Sequence, residues 1–94
     1  MVMKIIMKNF GDFLSSRPAG KDAYLSAQAY VFPAKNEADV IELDFDGVKV
    51  LTPSWADEFV TPLAEQWGDK LHFSHTENLS VKATLEFLKQ IPTS

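Results

Sequence analysis

Asp39-Val40-Ile41-Glu42-Leu43-Asp44-Phe45-Asp46-Gly47 runs on through Val48-Lys49-Val50-Leu51 to Thr52-Pro53-Ser54-Trp55-Ala56-Asp57-Glu58-Phe59, and this stretch decides the fold. Ile41, Leu43 and Phe45 alternate with polar residues, the period-two pattern of a strand with one apolar face. Asp46-Gly47 is a turn signal. Val48, Val50 and Leu51 make a short extended piece. Ser54 is then the expected N-cap of a helix. Asp57 and Glu58 follow it in a loose capping box that sets negative charge at the positive helix end. Trp55, Phe59, Leu63 and Trp67 recur at every fourth position, and Gly68 is placed to close the helix. Pro62, deep in this pattern, is expected to kink the helix or shift its start.

Working outward, residues 2–8 read as a first strand, apolar enough to be buried on much of both faces. Phe10-Gly11-Asp12 breaks it, and Phe13 and Leu14 anchor the turn. Ser16 is an N-cap candidate, with Pro18 in the first turn and Tyr24, Leu25, Gln28 and Val31 at helical spacing. Pro33 ends that helix, and residues 35–38 form a polar connection. Beyond Gly68, residues 70–74 alternate as a third strand and 75–78 form a loop. A last helix runs from about Ser80 to Gln90, stopped by Pro92. Strands alternating with helices predict a single small α/β domain with about three helices. Its sheet is expected to be four-stranded, mostly parallel or mixed.

The chain has 94 residues, enough for one domain that hides roughly 64% of its unfolded surface. Nine Lys and Arg against thirteen Asp and Glu give a net charge of −4. That balance argues against nucleic acid and against anionic membrane surfaces as partners. The absence of cysteine excludes disulfides, thiolate chemistry and Cys-based zinc sites, and fits a cytoplasmic setting. No apolar run has the length of a membrane span, and the first nine residues lack the features of a signal peptide.

The densest polar constellation is Asp44, Asp46 and Ser54, with Asp57 and Glu58 beyond it. Asp44 to Gly47 falls at the carboxyl end of a strand, where α/β sheets collect ligands. One reading is a small-ligand or metal-binding domain, even an enzyme, with these groups around magnesium or a small anion. The plain reading is a turn, a cap and a helix-dipole complement. His72 and His75 suggest no third metal ligand and no nucleophile partner, so structural or surface roles are expected of both. Arg17, the single arginine, is expected to make a local hydrogen bond or salt bridge. Trp55 reads as core by its stripe, yet its place in the first helical turn could leave one edge exposed as a binding anchor.

The run from Val40 to Phe59 resembles the core of a STAS-like family of unknown function. That family shows a strand ending in Asp-Phe-x-Gly-Val, then a Ser-Phe-Ala-Asp-Glu helix start. Trp55 stands here where the family has Phe. Phe10-Gly11, Ser16-Arg17 and the final strand with Asn78 and Val81 extend the resemblance over residues 5–90. Related domains include the bacterial anti-sigma factor antagonists, which bind a kinase-type partner under control of a phosphorylated serine at a helix start. The resemblance implies a non-catalytic regulatory module without cofactor. It implies docking on a protein such as a histidine-kinase-like ATPase through Thr52, Pro53, Ser54, Trp55 and Glu58, with Ser54 as modification site. The antagonist loop reads Asp-Ser-Ser-Gly; here the acceptor position falls on Pro53, and Ser54 matches the following serine. A homodimer through a sheet edge or helix face is a third reading.

Overall fold

The computed structural model describes residues 2–30, 32 and 39–90. Val31, Pro33, the connection at 35–38 and Pro92 lie outside the described residues. In chain order the elements are β1 (Val2–Ile6), a 3-10 turn (Met7–Phe10), β2 (Phe13–Leu14), α1 (Arg17–Tyr30), β3 (Val40–Asp44), β4 (Val50–Leu51), α2 (Pro53–Trp67), a second 3-10 turn (Gly68–Lys70), β5 (Leu71–Ser74) and α3 (Leu79–Gln90).

The parallel α/β arrangement is as the alternation of elements predicts, but the four-stranded sheet is not. Three strands pair in the order β1-β3-β5, and β2 pairs with β4 in a separate two-stranded ribbon; every pairing is parallel. Residues Phe13 and Leu14 thus do more than anchor a turn. They lie in register with Val50 and Leu51. Two-residue strands are too short to show a period, so neither could be assigned to a sheet from spacing alone.

Register and alternation give the larger sheet two unlike faces. Met3, Ile5, Ile41, Leu43, Leu71 and Phe73 share one, and they join the core with α2 and α3. Lys4, Ile6, Glu42, Asp44, His72 and Ser74 share the other. Lys4, Ile6 and His72 are exposed there. The expectation that β1 is buried on both faces therefore fails: β1 is an edge strand in the sheet order, and only Ile5 of its residues is buried.

Helix α2 starts two residues earlier than expected. Thr52 is the N-cap, with extended backbone (φ −99, ψ 154), and its Oγ1 accepts the Trp55 N–H at 3.4 Å. Pro53 takes the first helical position, where its missing N–H costs nothing. Ser54 is therefore inside the first turn, and the capping box expected with Asp57 and Glu58 does not form. Pro62 is accommodated within one helix that runs from Pro53 to Trp67. Phe59, Val60, Leu63 and Trp67, buried on both sides of the proline, hold the helix where one backbone bond is lost. Gly68 closes it, at φ 53. In α1, Ser16 Oγ accepts the Ala19 N–H at 3.3 Å, as expected of its N-cap.

Trp55 is 2% exposed. Its ring stacks on Phe59 at 5.0 Å, and Phe10 meets both rings. The exposed edge that would have made it an anchor is absent, because the Trp55 side of the first turn packs against Gly20 of α1 while Pro53 and Ser54 on the other side stay exposed.

Candidate functional site

Two polar groupings stand apart in the structure: the loop at Thr52, Pro53 and Ser54, and a charged cluster at the carboxyl end of β3 in which Asp44 meets Lys4 and His75.

At the loop, Thr52 is tied to the ribbon. Its N–H donates to the Leu14 carbonyl at 3.0 Å, and its Oγ1 lies 3.4 Å from the same oxygen. Pro53 and Ser54 are exposed. Glu58 is half-buried and does not face solvent as a loose carboxylate. Its Oε1 accepts from Arg17 Nη1 at 3.0 Å, while Asp57 Oδ2 accepts from the same nitrogen at 2.9 Å. Arg17 is thus paired, but not locally as expected: its partners lie 40 and 41 positions away, across α1 and α2. The guanidinium holds the Asp57 carboxyl below the usual carboxylate range, helped by the Thr61 hydroxyl, and the two carboxylates raise Arg17 in turn.

The ribbon extends this surface. Leu14 and Leu51 are buried, so the paired side chains of Phe13 and Val50 are on the outer face. Phe13 is 65% exposed. The other edge of β4 is held by α3. Ser80 Oγ accepts the Leu51 N–H at 3.0 Å and donates to the Leu51 carbonyl, which also accepts from Thr84 Oγ1 at 2.6 Å. Asn78 Nδ2 donates to the Lys49 carbonyl, and its Oδ1 accepts the Ser80 and Val81 N–H groups that open α3. Leu79, between these two anchors, is 83% exposed. Phe13 and Leu79 therefore flank β4 just before the chain enters Pro53 and Ser54.

The second grouping sits at the carboxyl end of β3. Asp44 is buried, yet each carboxylate oxygen has a partner. Oδ1 accepts the Asp46 N–H at 2.9 Å and lies 2.7 Å from His75 Nδ1; Oδ2 lies 3.3 Å from Lys4 Nζ. Beside it, Glu42 accepts the Ser74 hydroxyl at 2.8 Å and lies 3.9 Å from Lys4 Nζ. The Asp46 N–H, then His75 and Lys4, hold the Asp44 carboxyl below its ordinary range against the opposing effect of burial. Asp46 contributes its amide to this network, and Ser54 makes none of these contacts. Among the described residues no group of three or more His, Asp or Glu side chains is arranged to hold a metal ion. Lys4 and His75 were not singled out from sequence as partners of Asp44. They lie 40 and 31 positions away along the chain, and only the register of β1, β3 and β5 brings them together.

A family model described as a STAS-like domain of unknown function matches residues 30–81. The chain belongs to that family. The STAS-like match is narrower than the resemblance read from sequence. It takes in β3, the ribbon strand β4, the Thr52–Pro53–Ser54 loop, α2, β5 and the start of α3. Asp44 and His75 fall inside it; Lys4, Arg17 and Gly20 do not. No curated protein and no solved structure matches this STAS-like chain. None of its described helices is long and apolar enough to cross a membrane.

Proposed function

We propose that this STAS-like domain is a non-catalytic, cytoplasmic regulatory module that docks on a protein partner, a histidine-kinase-like ATPase being the class the antagonist resemblance suggests. The docking face is the loop at Thr52, Pro53 and Ser54 together with Phe13 and Leu79. Glu58 lines its margin through Arg17, and Trp55 supports it from beneath. The observation that carries the reading is the exposure of two large apolar side chains, Phe13 and Leu79, on either side of the strand that leads into the exposed Pro53–Ser54 turn. Apolar groups of that size beside a polar helix start suit a protein interface. Phosphorylation of Ser54 would add negative charge at that face and block docking.

The test is calorimetric titration of the chain against the histidine-kinase-like ATPases of the source cell. Saturable binding that Phe13→Ser and Ser54→Asp each abolish, with neither variant melting lower than the unsubstituted chain, supports the reading. No binding, or binding indifferent to both substitutions, overturns it.

A further inference from the structure

The two histidines carry their protons on opposite ring nitrogens. An ionised carboxylate accepts and cannot donate, so the 2.7 Å contact with Asp44 Oδ1 places a proton on Nδ1 of His75. A carbonyl likewise only accepts, so the 3.1 Å contact with the Asp69 oxygen places the proton of His72 on Nε2. In its neutral form His75 therefore offers a lone pair at Nε2, and His72 offers one at Nδ1. The surroundings differ as well. His75 is backed by a buried carboxylate, whereas His72 is exposed and rests on a main-chain oxygen. The His75 backbone sits at φ 55, a left-handed conformation uncommon for a side-chain-bearing residue. That turn carries the ring back over the end of β3, while the imidazole side chain stays 48% exposed. Backbone strain of this kind accompanies groups held for a task.

We propose that His75 is a phosphoryl-acceptor site, reacting through Nε2, with Asp44 as its positioning residue and Lys4 as the neighbouring cation. The donor is a small acyl phosphate or phosphoramidate, or a nucleoside triphosphate presented by a kinase. The Nε2 lone pair attacks phosphorus and a new N–P bond forms. The donor's bond from phosphorus to its leaving group breaks, and that group departs with the electron pair. The Nδ1 proton stays on the ring. The ring thus becomes an imidazolium, whose charge the Asp44 carboxylate balances at 2.7 Å. Lys4 Nζ, 3.3 Å from the other oxygen of that carboxylate and 3.9 Å from Glu42, offsets the negative charge of the two carboxylates behind the ring. Glu42, with its hydrogen bond from Ser74, is the opposing charge on the same face. This inference is independent of docking at Ser54 and needs no partner for its test.

The folded chain is incubated with potassium phosphoramidate. Phosphorus NMR and mass spectrometry under non-acidic conditions then identify the modified residue and ring nitrogen. Modification of His75 at Nε2, roughly tenfold faster than that of His72, is expected from one charge-assisted hydrogen bond. His75→Asn should remove this signal, leaving the slow Nδ1 product on His72. Asp44→Asn should slow His75 to about the rate of His72. Equal labelling of the two histidines, an Nδ1 product on His75, or no labelling of His75 overturns the proposal. The ratio within the unsubstituted chain decides the matter even where Asp44→Asn fails to fold.

Discussion

Gly20 of α1 lies against the main chain of Trp55 in α2, so close that a Cβ added at Gly20 would stand 2.9 Å from the Trp55 Cα and closer still to its carbonyl oxygen. The glycine lets two helices approach at the turn that begins α2, and it keeps the Trp55 ring under cover. This contact explains why a tryptophan next to the exposed Pro53–Ser54 turn is core.

Gly20→Ala should therefore destabilise the fold. Helix propensity alone would favour alanine by about 1 kcal/mol. The clash is with backbone, which cannot swing aside, and overpacking of this kind costs about 1–3 kcal/mol. A lower urea midpoint with an unchanged slope is the expected result; an equal or higher midpoint would mean that α1 and α2 separate without penalty.

Thr52 and Ser54 should separate cleanly in stability. Thr52→Ala removes the N-cap acceptor and is expected to cost about 1 kcal/mol. Ser54→Ala, inside the exposed first turn, should stay within about 0.5 kcal/mol. Ser54→Asp should be neutral or slightly stabilising, because a negative charge near a helix start is favourable by about 0.3–1 kcal/mol. Chemical denaturation of the three variants checks this. A larger loss for Ser54→Ala than for Thr52→Ala would restore Ser54 as the cap.

Acid should weaken the fold partly through Asp44. Its folded carboxyl titrates below the ordinary range, so the unfolded chain takes up the proton first as pH falls. The stabilisation is complete above the unfolded value, near pH 4, and is lost as pH drops through the lower folded value. Asp57, lowered by Arg17, adds in the same direction, reduced by solvent at its partly exposed side chain. Melting temperatures from pH 6 down to pH 2 should fall more gently in Asp44→Asn than in the unsubstituted chain, with the two curves converging at the acid end.

The clamp of α3 on β4 predicts an order of losses. Thr84→Val removes one of two hydroxyl donors to the Leu51 carbonyl and should cost about 1 kcal/mol. Ser80→Ala also takes away the acceptor of the Leu51 N–H and should cost more, about 1–3 kcal/mol. Hydrogen exchange at Leu51 gives the local readout: its amide should exchange faster in Ser80→Ala and stay protected in Thr84→Val.

Much of the fold was legible where a period was long enough to read. The alternation of Ile41, Leu43 and Phe45 gave β3, and the stripe of Trp55, Phe59, Leu63 and Trp67 gave α2 and its buried side. The Thr52–Ser54 turn was legible as a helix start, but its cap was misplaced by two residues. Thr, Pro and Ser can each open a helix, and only the extended conformation of Thr52 chooses among them. Phe13–Leu14 and Val50–Leu51 offered two residues each, too few to say which sheet they enter.

The amino-acid order by itself determined the α/β class, the STAS-like family and most of the apolar interior, because these follow from local periodicity and from motifs contiguous in the chain. Only the tertiary structure decided that the five strands among the described residues divide into three and two, that α1 covers Trp55, and that Lys4, Asp44 and His75 meet. Each of these depends on strand register and on helix approach between segments far apart in sequence, where a shift of one residue would turn Lys4 or Asp44 to the opposite face.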